Sequence, residues 1–327
     1  MAINVAPAFL SSATRRLPLA LSTSTRKSYD TKFRLFLALA VFYAWDITQV
    51  NVFHILAFLE MLNVNGVNAT QMKSYVSAIK TMLNIYNCET HSLEDRRIYL
   101  YIRSCQINAP LNVKMKVILD IPMLEQLIRA CGSSTEAITF KVAYLLGFFA
   151  FLRLSNLVPH SRKDFSIIKH LTKGDIFFNS NHAVVLIKWS KTLQTRDTIR
   201  MIKVPKLNTH ICPYQALKSL LIHMPGNKNS PLFQIRTKSV WYPLLDSHVR
   251  AHLKETLAKA KLSPSLTFHA LRRSGATFSF NSNVALQNIQ RHGTWTSDCV
   301  WRYLIDSHDA GSEVADNFRR LLSVPTH

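Results

Sequence analysis

Apolar residues recur at helical spacing over residues 23–105, and the pattern then stops at Ile107-Asn-Ala-Pro-Leu-Asn-Val-Lys-Met-Lys116. A helix-period segment closed by a polar, proline-containing and basic stretch is the signature of a small all-α unit followed by a linker. Ser22 or Thr23 stands as an N-cap before Tyr29, Phe33, Phe36, Leu37 and Ala40. Two further apolar series follow, Val52, Ile55, Leu56 and Leu59, then Met72, Tyr75, Val76, Ile79 and Met82. The spacing predicts a bundle of about four helices. At 327 residues and 48% apolar content the chain exceeds one average domain, and a fresh helical pattern starts near Pro122.

Beyond the linker, an apolar run from Val142 to Leu152 ends directly on Arg153. This run and the one from Leu35 to Trp45 are about half the length a bilayer crossing needs, so both are expected as core helices and no membrane partner is expected. The period then changes. Residues 175–178 and 183–189 read as strands around a turn at Asn179-Ser-Asn-His182, and residues 199–204 as a third strand. Lys188, Lys191, Arg196, Arg200 and Lys203 make this hairpin region strongly basic. The chain is expected to be helical again after Pro213, apart from loops near Pro225 and Pro264. The predicted fold class is therefore mainly α with a small antiparallel β-sheet.

The formal charge is +21, of which residues 112–327 carry +16. Such an excess calls for a polyanionic partner, nucleic acid first. The first 29 residues contain no acid but include Arg15, Arg16, Arg26 and Lys27, which fits either a transit peptide or a basic disordered arm touching DNA. Lys73 and Lys80 punctuate the last helical series of the first unit. The five cysteines show no paired spacing, which suits a reducing, intracellular compartment. There is no His-Glu-x-x-His, no glycine-rich phosphate loop and no carboxylate cluster, so no cofactor or metal is expected. A phosphoryl-transfer site here would rest on arginine and lysine.

Four residues could build one. Arg153 is either a snorkelling helix-end arginine or a guanidinium set to grip a phosphate, with Ser155 and Asn156 holding the turn. His269 and Arg272, three apart on a helix starting near Ser265, share a face and could reach one anionic oxygen. Tyr303 follows Ser297, a potential N-cap, on a short helical pattern. By spacing alone it is a core tyrosine, but with cations around it a phenolate becomes a competent nucleophile toward phosphate.

Four motifs in order, Leu152-Arg-Leu-Ser-Asn-Leu157, Trp189-Ser-Lys-Thr-Leu-Gln194, His269-Ala-Leu-Arg-Arg-Ser-Gly-Ala-Thr277 and Gly293-Thr-Trp-Thr-Ser-Asp-Cys-Val-Trp-Arg-Tyr303, resemble those of tyrosine recombinases of the phage-integrase type, particularly those of eukaryotic mobile elements. The resemblance spans roughly residues 23–310. It implies that Arg153 and Arg272 bind the non-bridging oxygens of a scissile phosphate and that Tyr303 attacks it to form a 3'-phosphotyrosine. Lys191, in preference to Lys188, would protonate the departing 5'-oxygen, and His269 would assist proton movement, without ATP or metal. Two positions depart from the pattern. Asn156 stands where many members carry an acid, and Thr294 stands nine before the tyrosine where histidine or tryptophan is usual; His292 and Trp295 flank it, so the three are alternative candidates for that catalytic role.

The resemblance further implies a SAM-like helical core-binding domain over residues 23–106, a linker over 107–116 and a catalytic domain over 117–308, clamped around double-stranded DNA. Residues 1–22 would form a basic disordered arm. A tail over 309–327, with Val314, Phe318, Leu321 and Leu322 at helical spacing, would dock on its own domain or on a neighbour in a homo-tetramer. Arg26, Lys27, Lys73, Lys80, Lys188, Arg196 and Arg273 are the expected DNA contacts, and the nucleus the expected location. Two other readings stand beside the recombinase: a DNA-binding protein derived from such an enzyme that no longer cuts, and a type IB topoisomerase. The N-terminal bundle and modest length suit the topoisomerase less well.

Overall fold

The computed structural model describes residues 12, 14–110, 117–189, 199–295 and 298–304. The chain divides into two compact units, residues 1–114 and 115–327. Among the described residues no helix is long and apolar enough to cross a membrane.

The first unit is a bundle of α1 (Thr23–Phe42), α2 (Val52–Val64), α3 (Ala69–Ile85) and α4 (Arg96–Ile107). Each begins where a short polar side chain occupies an otherwise orphan amide. Ser22 accepts from Thr25 N–H, Asn51 from Phe53 and His54, Asn68 from Gln71 and Asp95 from Arg97. The expected apolar series on α1 turns Phe33, Phe36 and Ala40 inward, where Phe36 meets the edge of Phe58 at 5.4 Å. Ile55, Leu59, Met72, Ile79, Leu83 and Ile102 complete this core. Within the segment expected as a basic arm, the described residues include one short element. Leu17–Ala20 forms a 3-10 helix, because Pro18 in its first turn already has the backbone angle a helix start needs.

The second unit is built around α6 (Thr135–Phe149), preceded by α5 (Ile121–Ala130). α6 is buried on nearly every face from Ala137 to Phe148, which accounts for its unbroken apolar sequence. After it come the short α7 (Leu154–Leu157) and an antiparallel sheet in the order β1 (Ile176–Phe178), β2 (His182–Ile187), β3 (Arg200–Pro205). Val185 lies opposite Ile176 on one side and Ile202 on the other, so Ala183, Val185, Ile187, Ile202 and Val204 all face the core.

α8 (Pro213–His223) is followed by a feature the sequence reading missed, a hairpin of β4 (Gln234–Thr237) and β5 (Val240–Pro243). Its two-residue turn puts Lys238 and Ser239 at φ of 46° and 67°. Such turns usually advertise themselves with Asn-Gly, and Lys-Ser carries no such signal. α9 (Asp246–Lys259), α10 (Phe268–Asn281) and α11 (Leu286–His292) complete the unit. α10 starts three residues later than expected, after Thr267. It lies directly on α6: a Cβ at Gly275 would come within 2.0 Å of the Phe148 carbonyl oxygen. The segment before Tyr303 is a 3-10 helix, Asp298–Arg302, with Tyr303 in the turn that follows. The expected cap Ser297 and the tail over 309–327 lie outside the described residues.

Candidate active site

The close approach of α10 to α6 places Arg272 inside the second unit, 1% exposed. A buried guanidinium is costly unless its donors and charge are met. Among the described residues no carboxylate does so. One terminal nitrogen, Nη1, donates to the Phe151 carbonyl and the other, Nη2, to the Gly293 carbonyl at 2.7 Å. The guanidinium carbon also sits 4.1 Å from the Trp295 ring centre and 5.3 Å from that of Tyr303, where ring faces offset positive charge. Burial and then the like charge of Arg153 push the Arg272 pKa down, while Tyr303 pulls it up.

The neighbouring backbone is shaped for this. Phe151 follows α6 with φ of 49°, a left-handed turn that presents its carbonyl to Arg272 and starts the chain toward Arg153. Gly293 is held to glycine because a Cβ there would lie 1.8 Å from the Trp295 ring. Arg153 itself is half-buried at the N-cap of α7. Its Nη1, the Arg272 Nε and the Trp295 Nε1 are buried donors with no hydrogen-bond partner among the described residues. Buried unpaired donors are rare in folded proteins, and three in one locality mark a site fitted to an acceptor.

Tyr303 closes the group. Its carbonyl accepts from Thr277 Oγ1 on α10 at 3.2 Å. Its ring lies 5.1 Å from that of His269 and 4.9 Å from that of Trp295. His269 keeps part of its surface open to solvent, yet burial of the rest and then the guanidiniums of Arg272, Arg273 and Arg153 push its imidazole down to about 4. It is neutral at physiological pH and has a lone pair to accept a proton.

Of the residues singled out from the sequence, Arg153, His269, Arg272 and Tyr303 are thus gathered in one place. The three candidates around position 294 separate. His292 shares a hydrogen bond with the Phe149 carbonyl at 2.8 Å and meets Phe151 edge-on, behind Arg272. Thr294 is buried in a left-handed turn at φ 56°. Trp295, of the three, lies against both Arg272 and Tyr303, its ring 4.1 Å from the guanidinium carbon and 4.9 Å from the phenol ring. Lys191 and Arg196 lie outside the described residues.

Two of the expected DNA contacts are engaged in ion pairs within the chain. Lys188 is 2.7 Å from the buried Asp175 carboxylate, which also accepts from Thr172 N–H and Oγ1; the lysine offsets the charge of that buried carboxylate. Lys80 is paired with Glu94 at 2.5 Å. Lys27 and Lys73 are exposed, Arg26 is half-buried, and Arg273 is half-buried beside the site. The supporting groups that sequence reasoning missed are two backbone carbonyls, Phe151 and Gly293, and these leave no trace in residue type. Among the described residues no group of three His, Cys, Asp or Glu side chains could hold a metal ion.

By sequence, no family model and no curated protein matches the chain. By structure it resembles the XerH site-specific recombinase in a post-cleavage complex with its difH substrate, with a TM-score of 0.62 at 17% identity, covering 95% of this chain and 80% of that one. It also resembles the Tn1549 transposon integrase in complex with transposon right-end DNA, with a TM-score of 0.62 at 13% identity, covering 94% and 99%. A lambda integrase dimer bound to a core site gives 0.55 at 15%, covering 92% and 95%. These likenesses establish the fold, that of tyrosine recombinases.

Proposed function

We propose, from that fold and the site within it, that the chain is a site-specific DNA strand-exchange enzyme acting through a 3'-phosphotyrosine. The observation that carries this is the gathering of Arg153, His269, Arg272 and Trp295 around Tyr303, with unpaired buried donors on three of them. A phosphodiester placed there would accept from Arg153 Nη1, Arg272 Nε and Trp295 Nε1, which stabilise the charge that builds on its oxygens in the transition state. Neutral His269 takes the phenol proton as the Tyr303 oxygen attacks phosphorus. The bond to the 5'-oxygen breaks, and Lys191 protonates that oxygen. Rejoining is the same exchange with a different 5'-hydroxyl attacking the phosphotyrosine, so the bond energy is kept and no ATP is needed.

Double-stranded DNA is the partner, and the charge of +21 makes phosphate contacts dominate its binding. Assembly as a homo-tetramer through the tail is part of the same proposal. It is supported by an apolar cavity of about 630 Å³ in the second unit, lined by Phe148, Phe149, Phe151, Phe278 and Ile289, of a size to take side chains such as Phe318 and Leu321.

The test is trapping on nicked duplexes drawn from the ends of the parent element. The wild type is expected to give a covalent protein–DNA band on a denaturing gel, and Tyr303→Phe none. Salt-sensitive binding without an adduct from the wild type would instead identify a DNA-binding protein that no longer cuts.

A further inference from the structure

Asn156 is 4% exposed and makes two hydrogen bonds that use both ends of its amide. Its Oδ1 accepts from the Arg153 backbone N–H at 3.3 Å, and its Nδ2 donates to the Trp189 carbonyl at 2.9 Å, just past the end of β2. The partners fix which end is which: an N–H must face the oxygen and a carbonyl must face the nitrogen. Asn156 therefore clamps the N-terminus of α7, where Arg153 sits, to the sheet. Arg153 depends on such a clamp because its Nη1 has no partner among the described residues, so its place is set through its backbone.

We propose that Asn156 is a positioning residue for Arg153 and that an amide, not a carboxylate, is what this position requires. The proposal rests on the function proposed above, in which Arg153 neutralises a phosphate oxygen. An aspartate at 156 would keep an acceptor for Arg153 N–H but would face the Trp189 carbonyl with a second oxygen at hydrogen-bond distance, repelling it where water does not reach. Asn156→Asp is thus expected to be at least as damaging as Asn156→Ala, although aspartate has the shape of the native residue and an acid stands here in many proteins of similar sequence pattern. Misplacing a guanidinium by a fraction of an ångström to an ångström lowers the rate by up to about 100-fold.

The experiment compares adduct formation by the wild type, Asn156→Asp, Asn156→Ala and Arg153→Ala on two nicked duplexes. One carries a normal scissile phosphodiester, and the other a neutral methylphosphonate there, with each diastereomer tested apart. The methyl group removes the charge that Arg153 serves, so a variant that fails only through Arg153 regains rate. Expected are a loss of about 10- to 100-fold for both Asn156 variants on the phosphodiester and recovery to within a few-fold of wild type on the methylphosphonate, as for Arg153→Ala. Three results would overturn the proposal: Asn156→Asp reacting like wild type, equal slowing on both substrates, or loss of duplex binding by both Asn156 variants, which marks a purely structural role. No adduct from the wild type on either substrate is a different failure, that of the proposed function itself.

Discussion

At the scale of single residues, Arg272 separates what stabilises the fold from what serves the chemistry. Its two carbonyl contacts contribute about 1.5–3 kcal/mol each as bonds from a charged donor. Burying the charge costs several kcal/mol in the other direction. Arg272→Met, of similar length and uncharged, removes the charge but leaves the Phe151 and Gly293 carbonyls without a donor, so it is expected to destabilise the protein by about 1–3 kcal/mol per carbonyl, less the relieved charge burial, while forming no adduct. Denaturant titration beside the trapping gel checks both halves. His269 offers a second test. Its pKa lies at about 4 in the folded protein, against about 6.5 unfolded, so between those values the unfolded chain binds more protons. Its contribution to stability is complete above pH 6.5 and is lost as pH falls toward 4. His269→Gln is expected to flatten the acid side of the stability profile in that window. A bound duplex, bringing a phosphate to the same place, is expected to move the His269 titration upward by NMR.

At the scale of elements, the site is a consequence of how closely α10 lies on α6. Gly275 permits it, and a methyl group there meets backbone that cannot turn aside. Gly275→Ala is expected to cost about 1–3 kcal/mol and to impair adduct formation as well, because Arg272 and His269 ride on the displaced helix; a thermal melt and the gel read the two effects. Helices of this kind were legible from the sequence, since α1, α3 and α6 each carry a long apolar pattern and a capping side chain. The hairpin of β4 and β5 was not, because its strands are four residues long and its turn uses Lys238 and Ser239 in left-handed geometry. The same geometry makes the turn improvable: Lys238→Asn with Ser239→Gly is expected to stabilise the protein by about 1 kcal/mol, seen as a raised Tm. The site was half legible for a related reason. Arg153, His269, Arg272 and Tyr303 are distinctive side chains, whereas the carbonyls of Phe151 and Gly293 that hold Arg272 depend on backbone angles that no residue type announces.

At the scale of the whole molecule, net charge says that the partner is polyanionic but not which cations meet it. Lys73 and Lys188 are indistinguishable in a count of +21. In the fold they differ, since Lys73 is exposed while Lys188 neutralises the buried Asp175. Each phosphate contact contributes a slope of about −0.9 to log affinity against log salt. For Lys73→Gln, binding to duplex DNA is therefore expected to weaken with the slope shallower by about one and stability unchanged. For Lys188→Gln the slope is expected to stay as it was, while stability falls by about 3 kcal/mol because the Asp175 carboxylate is left buried without its cation. Fluorescence anisotropy across a salt series, paired with denaturant melts, measures both. A shallower slope for Lys188→Gln at unchanged stability would mean that the ion pair yields to DNA and that Lys188 is a phosphate contact.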